Sequence, residues 1–131
     1  LIYGTFIWKM DWENLNMYKF CLHEKLYIGS LIEKRKDKVL QQLRGGEIPS
    51  RTWLLTLPSG SENQLQIFSA EQAEVWSRTA GFLTVVGIAA DFEDACEVTE
   101  RMTADALQLL GRPSPRELFE TPAERSGESG S

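Results

Sequence analysis

Apolar and polar positions alternate along the chain in three strand-like runs, each followed by a helical pattern. The runs at residues 18–28, 51–57 and 82–90 are short and rich in β-branched and aromatic residues, which is typical of strands. The third run is almost continuously apolar, as expected of a strand that is buried on both faces of a sheet. These runs predict three strands of one sheet.

Apolar residues at helical spacing predict helices over residues 32–43, 63–78 and 92–110. Ser30 and Glu33 have the spacing of a capping box, in which the two residues satisfy each other's free backbone N–H groups. This box predicts that the first helix begins directly after Ser30.

A second box, Ser69 with Gln72, lies inside the middle helical stretch and leaves two short helices open as an alternative to one. Asp91 with Asp94 marks the start of the longest helix, whose stop signal is a glycine at position 111. A further helical turn is predicted after Ser114, because proline is favoured at the first helical position that follows.

The order of these elements predicts an α/β protein with strands and helices in β-α-β-α-β-α order. We expect a small two-layer or three-layer sandwich with a short parallel or mixed sheet of three or four strands. The alternative is an α+β, ferredoxin-like arrangement, which requires a hairpin within residues 18–28 and a strand at residues 64–68.

Residues 17–120 are predicted to form a single domain, since this length suffices to bury a core. Residues 121–131 contain few apolar side chains and are expected to be disordered. Residues 1–16 precede Met17, which resembles a natural start, so we interpret them as an extra segment that is dispensable for folding.

The composition of the chain argues against several classes of function. A net charge of −5 argues against nucleic-acid binding, which requires Lys and Arg to neutralise phosphates. No apolar run approaches the roughly 20 residues that a membrane span needs. Cys21 and Cys96 lack metal-ligand spacing and lie in apolar patterns, so we expect two buried free thiols and a reducing, cytoplasmic environment.

Charge is unevenly distributed along the chain. Residues 22–51 contain seven Lys and Arg against four Asp and Glu, whereas residues 84–131 contain ten acidic residues against four Arg. Four of the cations fall in the first two turns of the first predicted helix, where the helix dipole disfavours positive charge. Such asymmetry can orient a protein partner or a second copy of the chain.

Candidate chemistry is sparse. His23 and Cys21 share one face of an extended strand, but no third group completes a nucleophilic site. Asp91, Glu93 and Asp94 form an acidic cluster, which is also what the first turn of a helix prefers. No phosphate-binding glycine motif occurs. We therefore predict no catalytic residues, no metal and no cofactor.

Our first hypothesis is a non-catalytic interaction module that self-associates, for example as a homodimer. It depends on the missing catalytic residues, the uneven charge and the surplus of tryptophan at Trp8, Trp12, Trp53 and Trp76.

The alternative hypothesis is a binder of a small anionic, phosphate-containing ligand at the edge where parallel strands end. Three loops would share that edge if the sheet were parallel. The candidate binding residues are Gly29, Ser30, Lys34, Arg35, Ser59, Gly60, Ser61, Asn63 and Asp91.

Overall fold

A computed structural model of the protein describes residues 20–58, 64–80 and 83–120. The segments 1–16 and 121–131, for which separate predictions were made, therefore lie outside the described residues, as do Trp8 and Trp12. The elements in chain order are β1 (Phe20–Ile28), a 3₁₀ helix (Glu33–Arg35), α1 (Lys36–Arg44), β2 (Trp53–Leu57), β3 (Gln66–Ser69), α2 (Ala70–Ala80), β4 (Leu83–Ala89), α3 (Phe92–Leu110) and α4 (Pro115–Glu120).

The four strands form one mixed sheet in the order β1-β4-β2-β3. Strand β1 runs parallel to β4, whereas β2 runs antiparallel to both β4 and β3. The predicted α/β class is confirmed, with a mixed sheet of four strands. The predicted order of elements lacked β3. This strand lies between β2 and α2 and pairs with β2 as an antiparallel hairpin.

Of the two features that the ferredoxin-like alternative required, the structure contains only one. The helix predicted over residues 63–78 begins only at Ala70, because residues 66–69 are a strand, as the ferredoxin-like alternative required. The other condition of that alternative does not hold, since β1 is a single strand and not a hairpin.

The hydrophobic core has one cluster on each face of the sheet. Neighbouring residues of β4 point to opposite faces, so Val85 joins the cluster under α1 and α2, and Val86 joins the cluster under α3 and α4. Both side chains are fully buried, a state that stabilises the fold by about 1.5–3 kcal/mol for each large apolar residue. Among the described residues, no helix is long and apolar enough to cross a membrane.

Strand direction decides which loops meet. Strands β1 and β4 end at the same edge of the sheet, where β2 begins, and we call this the carboxyl edge. The last residue of β2, Leu57, pairs with Thr84 near the start of β4, so the chain leaves β2 at the opposite edge. The expectation that three loops share one edge is therefore wrong for the loop after β2, because β2 is antiparallel to its neighbour.

Candidate functional site

The turn after β1 closes over a buried carboxylate. Asp94, in the first turn of α3, is only 3% exposed. Its carboxylate accepts the Ala90 N–H at 2.9 Å and the Leu31 N–H at 3.4 Å. A Cβ atom added to Gly29 would lie 2.2 Å from Asp94 Oδ2, so only glycine allows this approach. Asp94 thus fixes the turn to the beginning of α3.

The capping box predicted at Ser30 and Glu33 does not form, and that prediction is wrong. No side chain caps the 3₁₀ helix or α1. The Ser30 hydroxyl instead donates to Glu97 Oε1 at 3.2 Å, and Glu33 pairs with Lys36 at 2.7 Å. This hydrogen bond to Glu33 raises the pKa of Lys36.

The cations that follow the turn have different roles. The Arg35 guanidinium donates to the carbonyl oxygens of Arg51 at 2.5 Å and Ser50 at 3.2 Å, and to Thr52 Oγ1 at 3.4 Å. It therefore ties the 3₁₀ helix to the turn before β2, in which Arg51 has a positive φ of 48°. Lys34 is exposed, and within the described part of the chain its side chain has no ion-pair partner.

A cleft of about 210 Å³ lies at the carboxyl edge, lined by Ser30, Leu31, Glu93, Asp94 and Glu97. Three of these five side chains are carboxylates, so the lining attracts cations and repels phosphate. Two donors of the predicted anion site are already used, because the Ile88 carbonyl accepts the Gly29 N–H at 2.8 Å and Glu97 accepts the Ser30 hydroxyl. Within the described ranges, no group of three or more His, Cys, Asp or Glu is arranged to hold a metal ion.

The remaining predicted site residues are scattered. Asp91 is exposed and caps α3, since its Oδ1 accepts the Asp94 N–H at 2.7 Å, as its position before the helix indicated. Gly29 and Asp91 are brought to the same edge, and Lys34 lies in the 3₁₀ helix beyond it. Ser59, Gly60, Ser61 and Asn63 lie outside the described residues.

Exposed apolar side chains at the carboxyl edge are the feature that the sequence analysis missed. Leu31 is 67% exposed although its neighbour Ile32 is fully buried, and Phe92 is 51% exposed. The Phe92 ring contacts the partly buried Trp53 ring edge-on, with 5.5 Å between centroids. We call Leu31, Phe92 and Trp53 the edge patch.

The sequence carried only a weak signal for the edge patch. Leu31 and Ile32 are consecutive and point in different directions, but consecutive residues can both be buried, as Asp94 and Ala95 are, so the sequence does not say which of the two is exposed. Phe92 directly follows the cap Asp91, where the first helical residue commonly points to solvent. The apolar residues at helical spacing that predict α3 begin with Phe92, which favours a buried position for it, and the structure shows that this is wrong.

A second polar cluster joins β1 to the helices on the far face. The Tyr27 hydroxyl donates to Asp105 at 2.5 Å, and burial together with this hydrogen bond raises the pKa of Tyr27. His23 Nδ1 accepts the Lys25 N–H at 3.1 Å, so Nε2 of the neutral ring carries the proton and donates to the Phe119 carbonyl at 3.1 Å. These contacts give His23 and Tyr27 structural partners.

The two cysteines are not the buried thiols that the sequence predicted. Cys21 is exposed and Cys96 is partly buried. For Cys21 the reason is topological, since β1 is an edge strand of the sheet.

Comparison with known proteins found no match for this chain. No family model matches the chain, and neither a curated relative nor a solved structure is significantly similar to it.

Proposed function

We propose that the protein is a small, non-catalytic interaction module that self-associates through the edge patch. The observation that supports this most is the exposure of both Leu31 and Phe92 at one edge of the sheet, where the Phe92 ring also contacts Trp53. Exposed apolar clusters commonly mark protein interaction surfaces, and aromatic residues are enriched in the cores of such interfaces.

Contacts within the chain already position the residues of the edge patch in the absence of a partner. Asp94 fixes the backbone of Leu31, and the edge-on contact with Trp53 orients Phe92. Association therefore orders few additional side chains, which lowers the entropy cost of binding. Burial of this apolar area would stabilise a complex by about 25 cal/mol per Å² before those costs are subtracted.

The proposal is tested by the oligomeric state of the full chain, measured by sedimentation velocity over a concentration series. We expect reversible dimers that are lost in the double variant Leu31→Ser/Phe92→Ser. The control is Val75→Ser/Trp76→Ser on α2, which removes an exposed apolar pair of similar exposure elsewhere and should leave the dimer unchanged. A strict monomer at high concentration, or a dimer that survives the first double variant, would contradict the proposal.

The alternative anionic-ligand binder receives less support from the site. Arg35 is engaged with backbone carbonyls, and the cleft beside Ser30 is lined by carboxylates, which leaves Lys34 as the candidate cation. A thermal-shift series with inorganic phosphate and nucleotides discriminates the two hypotheses. Stabilisation of the wild-type protein that disappears in Lys34→Ala would favour the ligand, and no shift would favour the interaction module.

A further inference from the structure

Opposite charges flank the edge patch on its two sides. Lys34 lies one turn beyond Leu31, and Arg51 lies in the turn that Arg35 ties to the same 3₁₀ helix. Both Lys34 and Arg51 are exposed. The other side is acidic, because Glu93 and Glu97 are exposed on α3 and line the cleft beside Leu31.

This division of charge follows from the topology. Helices α1 and α2 cover one face of the sheet and α3 covers the other, and the edge patch lies where the turn after β1 meets the start of α3. Glu93 and Glu97 are four residues apart, so they share one face of α3 and repel each other there. A basic partner surface would relieve this repulsion.

We propose that the occupant of the edge patch is a second copy of this chain, related to the first by a two-fold axis through the patch. In that arrangement Lys34 and Arg51 of each copy face Glu93 and Glu97 of the other. The inference rests on the proposed function and specifies its partner and its geometry. A two-fold interface repeats every contact, so a surface with one basic and one acidic side is complementary to itself.

The small apolar area and the exposed charges determine the affinity of this dimer and its dependence on salt. Interfaces of limited area are typically weak and transient, and charges at the rim of an interface act mainly on specificity and on the association rate. We therefore expect a concentration-dependent dimer whose dissociation constant rises with salt, because exposed ion pairs are screened.

A mixing experiment tests the arrangement. The variant Lys34→Glu/Arg51→Glu makes both sides of the patch acidic, and the variant Glu93→Lys/Glu97→Lys makes both sides basic. Each variant alone should self-associate at least about tenfold more weakly than the wild-type protein, because like charges then face each other. An equimolar mixture of the two should form a heterodimer, detected by sedimentation of one fluorescently labelled variant.

The matched control is Arg44→Glu/Arg78→Glu, which changes the net charge by the same amount at exposed positions on α1 and α2. It should dimerise as the wild-type protein does. Circular dichroism checks that each variant is folded, and the salt dependence of the wild-type dimer gives a second measurement that needs no variant.

The outcomes separate this inference from the proposed function. A wild-type dimer that depends on Leu31 and Phe92 but not on the charge variants or on salt would retain the edge patch and overturn the two-fold arrangement. A wild-type monomer would overturn both and assign the patch to another occupant. Heterodimer formation in the mixture, together with loss of both separate homodimers, would establish the inference.

Discussion

Two junctions between a strand and a helix have the residue spacing of a capping box, and a capping box forms at only one of them. At the junction of β3 and α2, the Ser69 hydroxyl accepts the Gln72 N–H and Gln72 accepts the Ser69 N–H, both at 3.2 Å. At the junction after β1, Ser30 and Glu33 have the same spacing, yet neither caps a helix. At the first junction both side chains bond to other groups, Ser30 to Glu97 and Glu33 to Lys36, so the spacing alone does not produce a capping box.

The acceptors that bond to the first junction come from α3. Asp94 accepts the Leu31 N–H and Glu97 accepts the Ser30 hydroxyl, and both acceptors are more than 60 positions away along the chain. A charged acceptor forms a stronger hydrogen bond than a neutral one, which favours this arrangement. The consequence for function is that the chain bends around Asp94, buries Ile32 and leaves Leu31 exposed at the carboxyl edge.

The largest effect is expected from Gly29→Ala. The added Cβ would lie 2.2 Å from Asp94 Oδ2, so either the turn or the buried carboxylate must move. We expect a loss of about 2–4 kcal/mol in the free energy of unfolding, measured with urea. The control is Gly45→Ala, whose Cβ would meet its nearest atom at 3.6 Å and which should change stability by about 0.5 kcal/mol or less. Equal losses in the two variants would show that the close approach to Asp94 is not what requires glycine.

Asp94→Ala should have the next largest effect, because it leaves the partly buried N–H groups of Ala90 and Leu31 without their acceptor. We expect a loss of about 2–3 kcal/mol in the free energy of unfolding. Asp91→Ala, which removes only the cap of α3, should cost about 1 kcal/mol. Chemical denaturation of both variants checks the order, and a larger loss in Asp91→Ala would contradict the account of the turn.

The two serines provide the most direct contrast and the smallest effects. Ser69→Ala removes a formed capping box and should cost about 1 kcal/mol. Ser30→Ala removes one exposed hydrogen bond to Glu97 and should change stability by about 0.5 kcal/mol or less. Thermal unfolding at neutral pH compares them, and equal destabilisation would mean that Ser30 caps its helix after all.

Features encoded by neighbouring residues were predictable from the sequence. The buried run of β4, the cap of α3 at Asp91 and its C-terminal stop at Gly111 all follow from local pattern and local hydrogen bonds. Gly111 adopts a left-handed φ of 75°, which glycine tolerates without strain. The α/β class followed from the order of these local elements.

Features that depend on distant pairing were not predictable. Phe68 of β3 lies at helical spacing from Leu65 and Val75, and only the pairing with β2 makes residues 66–69 a strand. The antiparallel direction of β2 likewise removes one loop from the carboxyl edge. The exposure of Leu31 depends on Asp94 in the same way, so the candidate site required the structure.

Amide chemical shifts of the full chain across a dilution series test the central claim most directly, because they locate self-association residue by residue. The account predicts concentration-dependent shifts at Leu31, Lys34 and Glu93 and at the indole N–H of Trp53, with α2 around Trp76 unaffected. Spectra that do not change with concentration, or changes confined to α2, would contradict self-association through the edge patch.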